Sequence, residues 1–254
     1  MSATYVFDAK LYEGLNKARA EVVSRLLKEQ IPKLGLSTAA DIGSGPGFFS
    51  SLLRGLGMGV VAVDGRKENV EEAKRRYPEI TFRVGNVEDE ELCDLGHFDL
   101  VLCFGLLYHL ENPLLAIHNL RAITGSLLLV DSVIFPGDEP VMALIDEEPL
   151  QDQGLRHLAF YPTESCLIKM LFRAGYLNVF KFRQQPIHPD YHAKADSRRV
   201  RTVLAASLNR IDSPLLIEQK EPASSIRPWD PRSGFRPTAL ERLTRYAKKA
   251  LPGK

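Results

Sequence analysis

In residues 40–50, ADIGSGPGFFS, three glycines lie within five positions, close behind the acidic Asp41. The apolar run TAADI at 38–42 that leads into them is strand-like, and the segment GFFSSLLRGL that begins at Gly47 has helical spacing. A strand, a glycine turn and a helix in this order direct backbone N–H groups and a helix N-terminus at a ligand. The stretch therefore predicts a cofactor loop at the carboxyl end of a strand.

Strand-like runs alternate with helical patterns along most of the remaining chain. After 38–42 come GVVAV at 59–63, ITFRV at 80–84, FDLVLCF at 98–104 and GSLLLVDSV at 125–133. Most of these runs are continuously apolar, as buried parallel strands are, and the helical segments between them supply the crossovers that parallel strands need. Two later strands, LNVFKFRQQ and RRVRTVLAASLN, are joined by a short polar link that is typical of an antiparallel pair.

This order predicts an α/β fold with a Rossmann-like, doubly wound sheet of seven strands, mostly parallel with an antiparallel last strand. Two amphipathic helices flank the alternating units. One covers 18–31 and is expected to end at Pro32, and the other covers 163–174, with Thr163 as its cap and Gly175 as its stop.

The chain is expected to form one domain, residues 1–208, followed by a tail. An acidic insertion rich in Pro and Gly, residues 136–162, follows the fifth strand, and insertions of this length usually act as lids or binding segments. We therefore expect a substrate lid there. Residues 209–254 show no strand period and contain a short basic helix, TALERLTRYAKKAL, so we expect an extended tail that wraps the domain or meets a partner.

Charge and composition limit the classes of partner. Lys and Arg number 33 against 32 Asp and Glu, so no global field attracts nucleic acid or an anionic membrane. The N-terminus has no signal pattern, and the most apolar stretch is interrupted by Asp131 well short of a membrane span, which predicts a soluble, cytoplasmic protein. Three widely spaced cysteines indicate neither a disulfide framework nor a metal site. Oligomeric state is not indicated.

The glycine loop does not fit a dinucleotide. That fingerprint needs Gly at its first, third and sixth positions, and here Gly43 and Gly45 fit but Phe48 occupies the sixth. Asp41 would also face a bound pyrophosphate, and Pro46 removes one N–H donor. A cationic or zwitterionic ligand tolerates the carboxylate better, which disfavours an NAD-dependent oxidoreductase.

DIGSGPG resembles motif I of the class I S-adenosylmethionine-dependent methyltransferases, and the resemblance extends as strand order over residues 36–207. It implies S-adenosyl-L-methionine as the cofactor, with Asp41 engaging the ammonium group directly or through water. Asp64, after the second strand, would accept both ribose hydroxyls, although a turn or cap role is the alternative. Contacts are also implied for Gly43, Ser44, Gly45, Gly47 and Phe48 of the loop, and for Gly65 and Arg66 beside Asp64.

Two further elements of that resemblance follow the third and fourth strands. In VGNVED, Asn86 stands where the family usually has Asp, and its side-chain oxygen would accept from the adenine amino group. Val87 N–H would reach the ring, and Glu88 or Asp89 would be the substitute for Asn86. A turn role for Asn86 is the alternative. Phe104 and Gly105 end the fourth strand at the edge of the sheet where α/β proteins place their ligands.

The segment GLLYHLENP is similar to the version in methyltransferases of sugars and natural products, and in the branch that modifies the tRNA wobble uridine. Methyl transfer needs an aligned acceptor and, for a hydroxyl, removal of a proton. His109 is the candidate base, because imidazole exchanges protons near neutral pH, and a hydrogen bond to the adjacent loop is its alternative role. Tyr108 would orient the substrate or pack, and Asp131 would replace His109, bind the acceptor, or cap a turn.

These observations predict methyl transfer to a small molecule or sugar, at oxygen. Methyl or carboxymethyl transfer to tRNA is the alternative, and the balanced charge and acidic insertion count against it. The basic run KADSRRVR is interpreted as a solvated face. A SAM-binding scaffold without catalysis is the third hypothesis, and it applies if neither His109 nor Asp131 faces the cofactor.

Overall fold

The computed structural model describes residues 6–148, 150, 153–192 and 199–224. The strands are β1 (Thr38–Ile42), β2 (Gly59–Asp64), β3 (Thr81–Val84), β4 (Phe98–Phe104), β5 (Thr124–Ile134), β6 (Met142–Asp146), β7 (Leu158–Pro162), β8 (Asn178–Phe182), β9 (Val200–Ser207) and β10 (Leu216–Gln219). The helices are α1 (Lys10–Leu34), α2 (Phe48–Gly55), α3 (Lys67–Arg76), α4 (Pro113–Ile123) and α5 (Glu164–Arg173).

Eight strands form the main sheet, in the order β10-β8-β9-β5-β4-β1-β2-β3. Strands β1 to β5 are mutually parallel, and β9 runs antiparallel to both β5 and β8. This confirms the doubly wound α/β fold and the antiparallel pair. The direction of winding reverses between β1 and β4, and ligands bind at such a reversal, outside the carboxyl ends of the strands.

The strand count of seven was wrong, because β10 adds an eighth strand at the edge by antiparallel pairing with β8. The interpretation of residues 209–254 as a tail without a strand is therefore wrong at β10. A strand of four residues in which only Leu216 is buried carries no readable period. The predicted basic helix of the tail lies outside the described residues.

Both faces of the sheet are buried, which explains the continuous apolar runs. Along β4, Leu100 and Leu102 belong to one core cluster, whereas Val101 and Cys103 belong to the cluster on the opposite face. Successive side chains of a strand point to opposite faces, so a strand covered on both sides must be apolar throughout. None of the helices among the described residues combines the length and apolar character of a membrane span.

Sequence-based boundaries differ from the structure at both ends of the first helix and in the insertion, and the helix begins at Lys10 rather than at Ala18. Pro32 was expected to end the first helix, but α1 continues to Leu34, and Gly35 ends it in the left-handed conformation at φ 65°. Proline removes only one backbone hydrogen bond of the helix, so α1 continues for two residues beyond Pro32. The insertion 136–162 is not only loop, because β6 and β7 pair as an antiparallel hairpin.

Candidate active site

A cavity of about 1110 Å³ opens at the carboxyl edge of the sheet, where the winding reverses. Of the predicted residues, those lining the cavity are Gly43, Ser44, Gly45, Phe48, Asp64, Gly65, Arg66, Asn86, Val87, Glu88, Phe104, Gly105, Tyr108 and His109. Three others, Asp41, Gly47 and Asp131, are not among the lining residues. The structure thus gathers most of the predicted cofactor residues around one space.

The glycine loop needs its glycines for backbone geometry and for space. Gly43, Gly45 and Gly47 have φ angles of 78°, 51° and 90°, a region that other residues rarely adopt. A Cβ on Gly43 would lie 2.9 Å from the Leu106 side chain, and one on Gly47 would lie 2.9 Å from the Phe82 ring. Gly47 therefore supports the turn from behind, while Gly43 and Gly45 form its cavity side.

Asp64 ties this loop to the end of β2. Its Oδ2 accepts a hydrogen bond from Gly45 N at 2.8 Å, and its Oδ1 accepts from Arg66 N at 2.9 Å and from Asn69 Nδ2 at 3.0 Å. Burial raises the pKa of the Asp64 carboxyl. A carboxylate offers roughly four lone-pair directions, so this arrangement leaves space for one ribose hydroxyl without displacing a partner, rather than for two. Asp64 therefore both stabilises the turn, which was its alternative role, and lines the cavity.

Asp41 lies behind the loop. Its side chain is buried and accepts a hydrogen bond from Ser50 Oγ at 2.6 Å, which connects β1 to α2. Desolvation by burial raises the pKa of Asp41 to about 7, against the opposing effect of the Ser50 hydrogen bond. In this arrangement Asp41 supports the loop and does not itself form the cavity wall, so direct contact with the cofactor ammonium is not part of the geometry.

The raised pKa of Asp41 gives a testable pH dependence. The folded state binds this proton more tightly than the unfolded state, so the contribution to stability is complete below about pH 4 and is lost as the pH rises through about 7. We expect Asp41→Asn, compared with wild type in thermal unfolding, to gain stability progressively from pH 4 to pH 8. The gain should reach at most about 4 kcal/mol, the equivalent of the pKa shift. An equal stability difference at both pH values would contradict this.

The turn after β3 is closed by its own side chains. Asn86 Oδ1 accepts from Glu88 N at 3.1 Å, and Glu88 Oε1 accepts from Asn112 N at 2.6 Å. From α4, Asn119 Nδ2 donates to Val87 O at 2.9 Å. The turn role of Asn86 is thus present in the structure, and contacts between this turn and adenine stay a prediction.

His109 contacts a carboxylate that the sequence did not single out. Its Nδ1 lies 2.6 Å from Glu147 Oε1, and the two side chains are 10% and 3% exposed. Glu147 Oε2 in turn accepts from Gly154 N at 2.9 Å. The buried His109 Nδ1 and Glu147 Oε1 are in contact without hydrogen-bond geometry. A carboxylate beside Nδ1 restricts the imidazole orientation and leaves Nε2 as the nitrogen for a substrate proton. No motif in the acidic insertion distinguishes Glu147 from its neighbours.

Asp131 is enclosed by cationic groups and is not a free base. It is fully buried, its Oδ1 lies 2.6 Å from Arg19 Nη2 and 2.7 Å from Arg201 Nη1, and Tyr191 donates its hydroxyl to Oδ2. Arg201 Nη2 also donates to Tyr108 Oη at 2.8 Å. The proposed role of Asp131 as base is therefore corrected to ion pairing, and Arg201, interpreted as part of a solvated basic face, is largely buried.

The insertion docks over the cavity through Arg66. Arg66 Nη2 donates to Gln153 O at 2.9 Å and to Gly154 O at 3.4 Å. Next to it, a Cβ on Gly65 would lie 2.9 Å from Leu155 Cδ1. Together with the pair of His109 and Glu147, these contacts connect the insertion to the end of β2 and to the turn after β4, as a lid over the cavity requires.

Arg66→Ala should loosen this part of the insertion. Removing a charged donor to backbone carbonyls is expected to speed hydrogen–deuterium exchange of the Gly154 amide by about tenfold. Arg156→Ala is the matched control, because the ion pair that Arg156 forms among the described residues is an exposed one with Glu111, at 3.6 Å. Equal exchange in the two variants would show that Arg66 does not anchor the insertion.

Comparison with known proteins supports the fold and the glycine loop. Residues 40–125 match the family model described as a methyltransferase domain. The N-terminal domain of EvdMO1, solved with SAH bound, superposes with a TM-score of 0.62 at 20% identity, covering 74% of this chain and 80% of that one. Magnesium protoporphyrin IX methyltransferase from Synechocystis PCC 6803 superposes with a TM-score of 0.54 at 17% identity, covering 82% and 86%.

Similarity in sequence extends to proteins that modify tRNA. The tRNA U34 carboxymethyltransferase of Colwellia psychrerythraea is 27% identical over 188 residues, which are 72% of this chain and 56% of the relative. That of Desulfotalea psychrophila is 32% identical over 98 residues, 37% of this chain and 29% of the relative. The chain thus spans little more than half the length of the first of these relatives and less of the second.

The strand order and the glycine loop are those expected for the class I S-adenosylmethionine-dependent methyltransferases, and residues 40–125 match the methyltransferase domain model. The family resemblance inferred from DIGSGPG is confirmed. The relatives named for U34 carboxymethyl transfer lie in the branch suggested by GLLYHLENP.

Proposed function

We propose that this chain uses S-adenosylmethionine to methylate an oxygen of a small-molecule or sugar acceptor. The observation that carries the proposal is one cavity lined by both the glycine loop and His109. Glycines without a Cβ allow close backbone approach at one end, and Asp64 offers a lone pair to a ribose hydroxyl beside them. Bound cofactor supplies a methyl group on a positively charged sulfur.

The chain's own contribution to chemistry is proton removal and enclosure. His109, whose Nδ1 contacts Glu147, takes the acceptor's hydroxyl proton on Nε2. The attacking oxygen thereby gains nucleophilicity as its bond to the methyl carbon forms and the carbon–sulfur bond breaks, with neutral S-adenosylhomocysteine as the leaving group. The insertion excludes water above the cavity through its contacts with Arg66 and His109. A scaffold without catalysis is disfavoured, because His109 lines the cavity.

Two measurements test the proposal. Calorimetry with S-adenosylhomocysteine and with NAD separates a methyltransferase from an oxidoreductase, and we expect binding of the first only. A transfer screen with cofactor labelled in the methyl group should then give product with sugars, phenols or carboxylic acids. Failure to bind S-adenosylhomocysteine at millimolar concentration would refute the proposal.

Transfer to the tRNA wobble uridine is the second candidate, favoured by the relatives named tRNA U34 carboxymethyltransferase. The net charge of +1 gives no global attraction to RNA, whose binding depends on neutralising phosphates. Bulk tRNA in the same screen decides the matter. Label recovered in tRNA nucleosides, and absent from the small molecules, would replace the first candidate by the second.

A further inference from the structure

Two arginines of the cavity wall share one buried carboxylate behind it, that of Asp131. Arg19 and Arg201 have side chains that are 6% and 11% exposed, both line the cavity, and both contact Asp131 Oδ1. Asp190 Oδ2 lies 3.8 Å from Arg201 Nε, but Asp190 is 45% exposed, so solvent screens its charge. Among the described residues, the buried part of this group therefore carries an excess of positive charge.

Both guanidinium groups keep unused hydrogen-bond donors. Arg19 donates from Nε to Tyr191 Oη at 3.0 Å and from Nη1 to Asn16 Oδ1 at 3.1 Å, whereas its buried Nη2 forms an ion pair with Asp131 without hydrogen-bond geometry. Arg201 uses Nη1 on Asp131 and Nη2 on Tyr108. A guanidinium has five N–H groups, so contacts among the described residues leave donors on each arginine. Carboxylate and phosphate groups match such donors in geometry and charge.

Arg201 lies apart from the glycine loop, whereas Arg19 lies beside Gly105, at the boundary between the predicted cofactor residues and the rest of the cavity. The glycine loop and Asp64 follow β1 and β2, whereas Arg201 lies on β9, on the other side of β4 and β5. Because β9 is antiparallel to β5, its first residues lie at the same sheet edge as the cavity. Arg19 Nη2 lies 4.0 Å from where a Cβ on Gly105 would be, which places it beside the turn after β4.

We propose that Arg19 and Arg201 form a subsite for an anionic group, a carboxylate or phosphate, of the methyl acceptor. Asp131 is a positioning residue that holds the two guanidinium groups together at the cavity wall. This proposal specifies the class of acceptor for the proposed methyl transfer, and it depends on that function. It predicts that anionic acceptors are preferred over neutral acceptors of the same shape.

The binding test uses the complex with S-adenosylhomocysteine, titrated in a calorimeter with benzoate and with benzamide. We expect benzoate to bind and benzamide to bind at least about tenfold more weakly, because only the carboxylate gains charge-assisted hydrogen bonds. Arg201→Gln should weaken benzoate binding by about 10- to 100-fold, and Arg201→Lys should weaken it less. Arg183→Gln, which removes an exposed arginine outside the cavity, should change nothing.

The activity test compares acceptors in pairs, each carboxylic acid against its primary amide, with wild type, Arg19→Gln and Arg201→Gln. The expected result is a kcat/KM advantage for the acids that both variants abolish. Absence of benzoate binding to the wild-type complex, or a preference for the amides, would overturn the proposal.

A different ligand for the arginines is a separate outcome. If Arg201→Gln weakened S-adenosylhomocysteine but not 5′-methylthioadenosine, which lacks the amino acid part, the arginines would hold the cofactor carboxylate and the acceptor subsite would be refuted. Failure of the proposed function itself would show differently, as wild-type protein that does not bind S-adenosylhomocysteine at all.

Discussion

His109→Ala is expected to lower kcat by about 10²- to 10⁴-fold, the usual contribution of a general base. The affinity for S-adenosylhomocysteine should change by less than about threefold, because a residue that acts only on the acceptor proton does not stabilise the bound cofactor. His109 reaches this role through its place on the cavity wall and through Glu147, 2.6 Å from its Nδ1. Single-turnover kinetics with labelled cofactor measure the chemical step directly.

Two variants separate catalysis from packing in this experiment. Glu147→Gln keeps the size of the side chain but removes the charge that orients His109, and a loss of about 10- to 100-fold in kcat is expected for such a supporting group. His118→Ala removes an exposed histidine on α4 that does not line the cavity, and it should leave kcat unchanged. A His109→Ala protein with wild-type kcat would leave His109 with only its hydrogen-bonding role.

The parts of the site that the sequence predicted are local. The glycine loop and Asp64 follow consecutive strands. The positive φ angles at Gly43 and Gly45 favour glycine, so the loop can be recognised in the sequence. Their positions depend on a few neighbouring residues and on the parallel order of β1 and β2. This is why motif spacing placed them on the cavity wall.

The parts that the sequence missed depend on distant segments. The sequence placed Asp131 at the correct edge of the sheet. Its ion-pair partners, however, are Arg19 on α1 and Arg201 on β9, which are distant in sequence. Nothing within a few residues of Asp131 indicates either partner. The partner of His109 likewise comes from the insertion, in which Glu147 is one of several acidic residues. Tertiary pairing of this kind leaves no periodic signal along the chain.

Asp64→Asn is expected to weaken binding of S-adenosylhomocysteine by about 10- to 100-fold, since hydrogen bonds to a charged group contribute about 1.5–3 kcal/mol. The substitution removes the charge next to the ribose position and replaces one acceptor oxygen by an N–H₂ group. Because Gly45 N, Arg66 N and Asn69 Nδ2 all donate to this carboxylate, the amide also leaves at least one donor facing another donor. We therefore expect the substitution to disturb the loop geometry and the proposed ribose contact together.

5′-Methylthioadenosine distinguishes these two effects on binding. It retains the ribose but lacks the amino acid part, so loss of the ribose contact should weaken both ligands by the same factor in calorimetry. A larger loss for S-adenosylhomocysteine would instead indicate that the displaced glycine loop, which we place against the methionine end, accounts for the difference.

The matched control is Asp99→Asn. Asp99 Oδ2 accepts hydrogen bonds from the backbone and side chains of Ser37 and Thr38, at the opposite edge of the sheet. Its removal should lower the free energy of unfolding by about 1–3 kcal/mol, as for any aspartate stripped of several donors, without changing ligand affinity. Asp99 lies too far from the cavity to contact the ribose. Equal affinities for S-adenosylhomocysteine in the Asp64→Asn and Asp99→Asn proteins would therefore show that Asp64 supports the fold and does not bind the ribose.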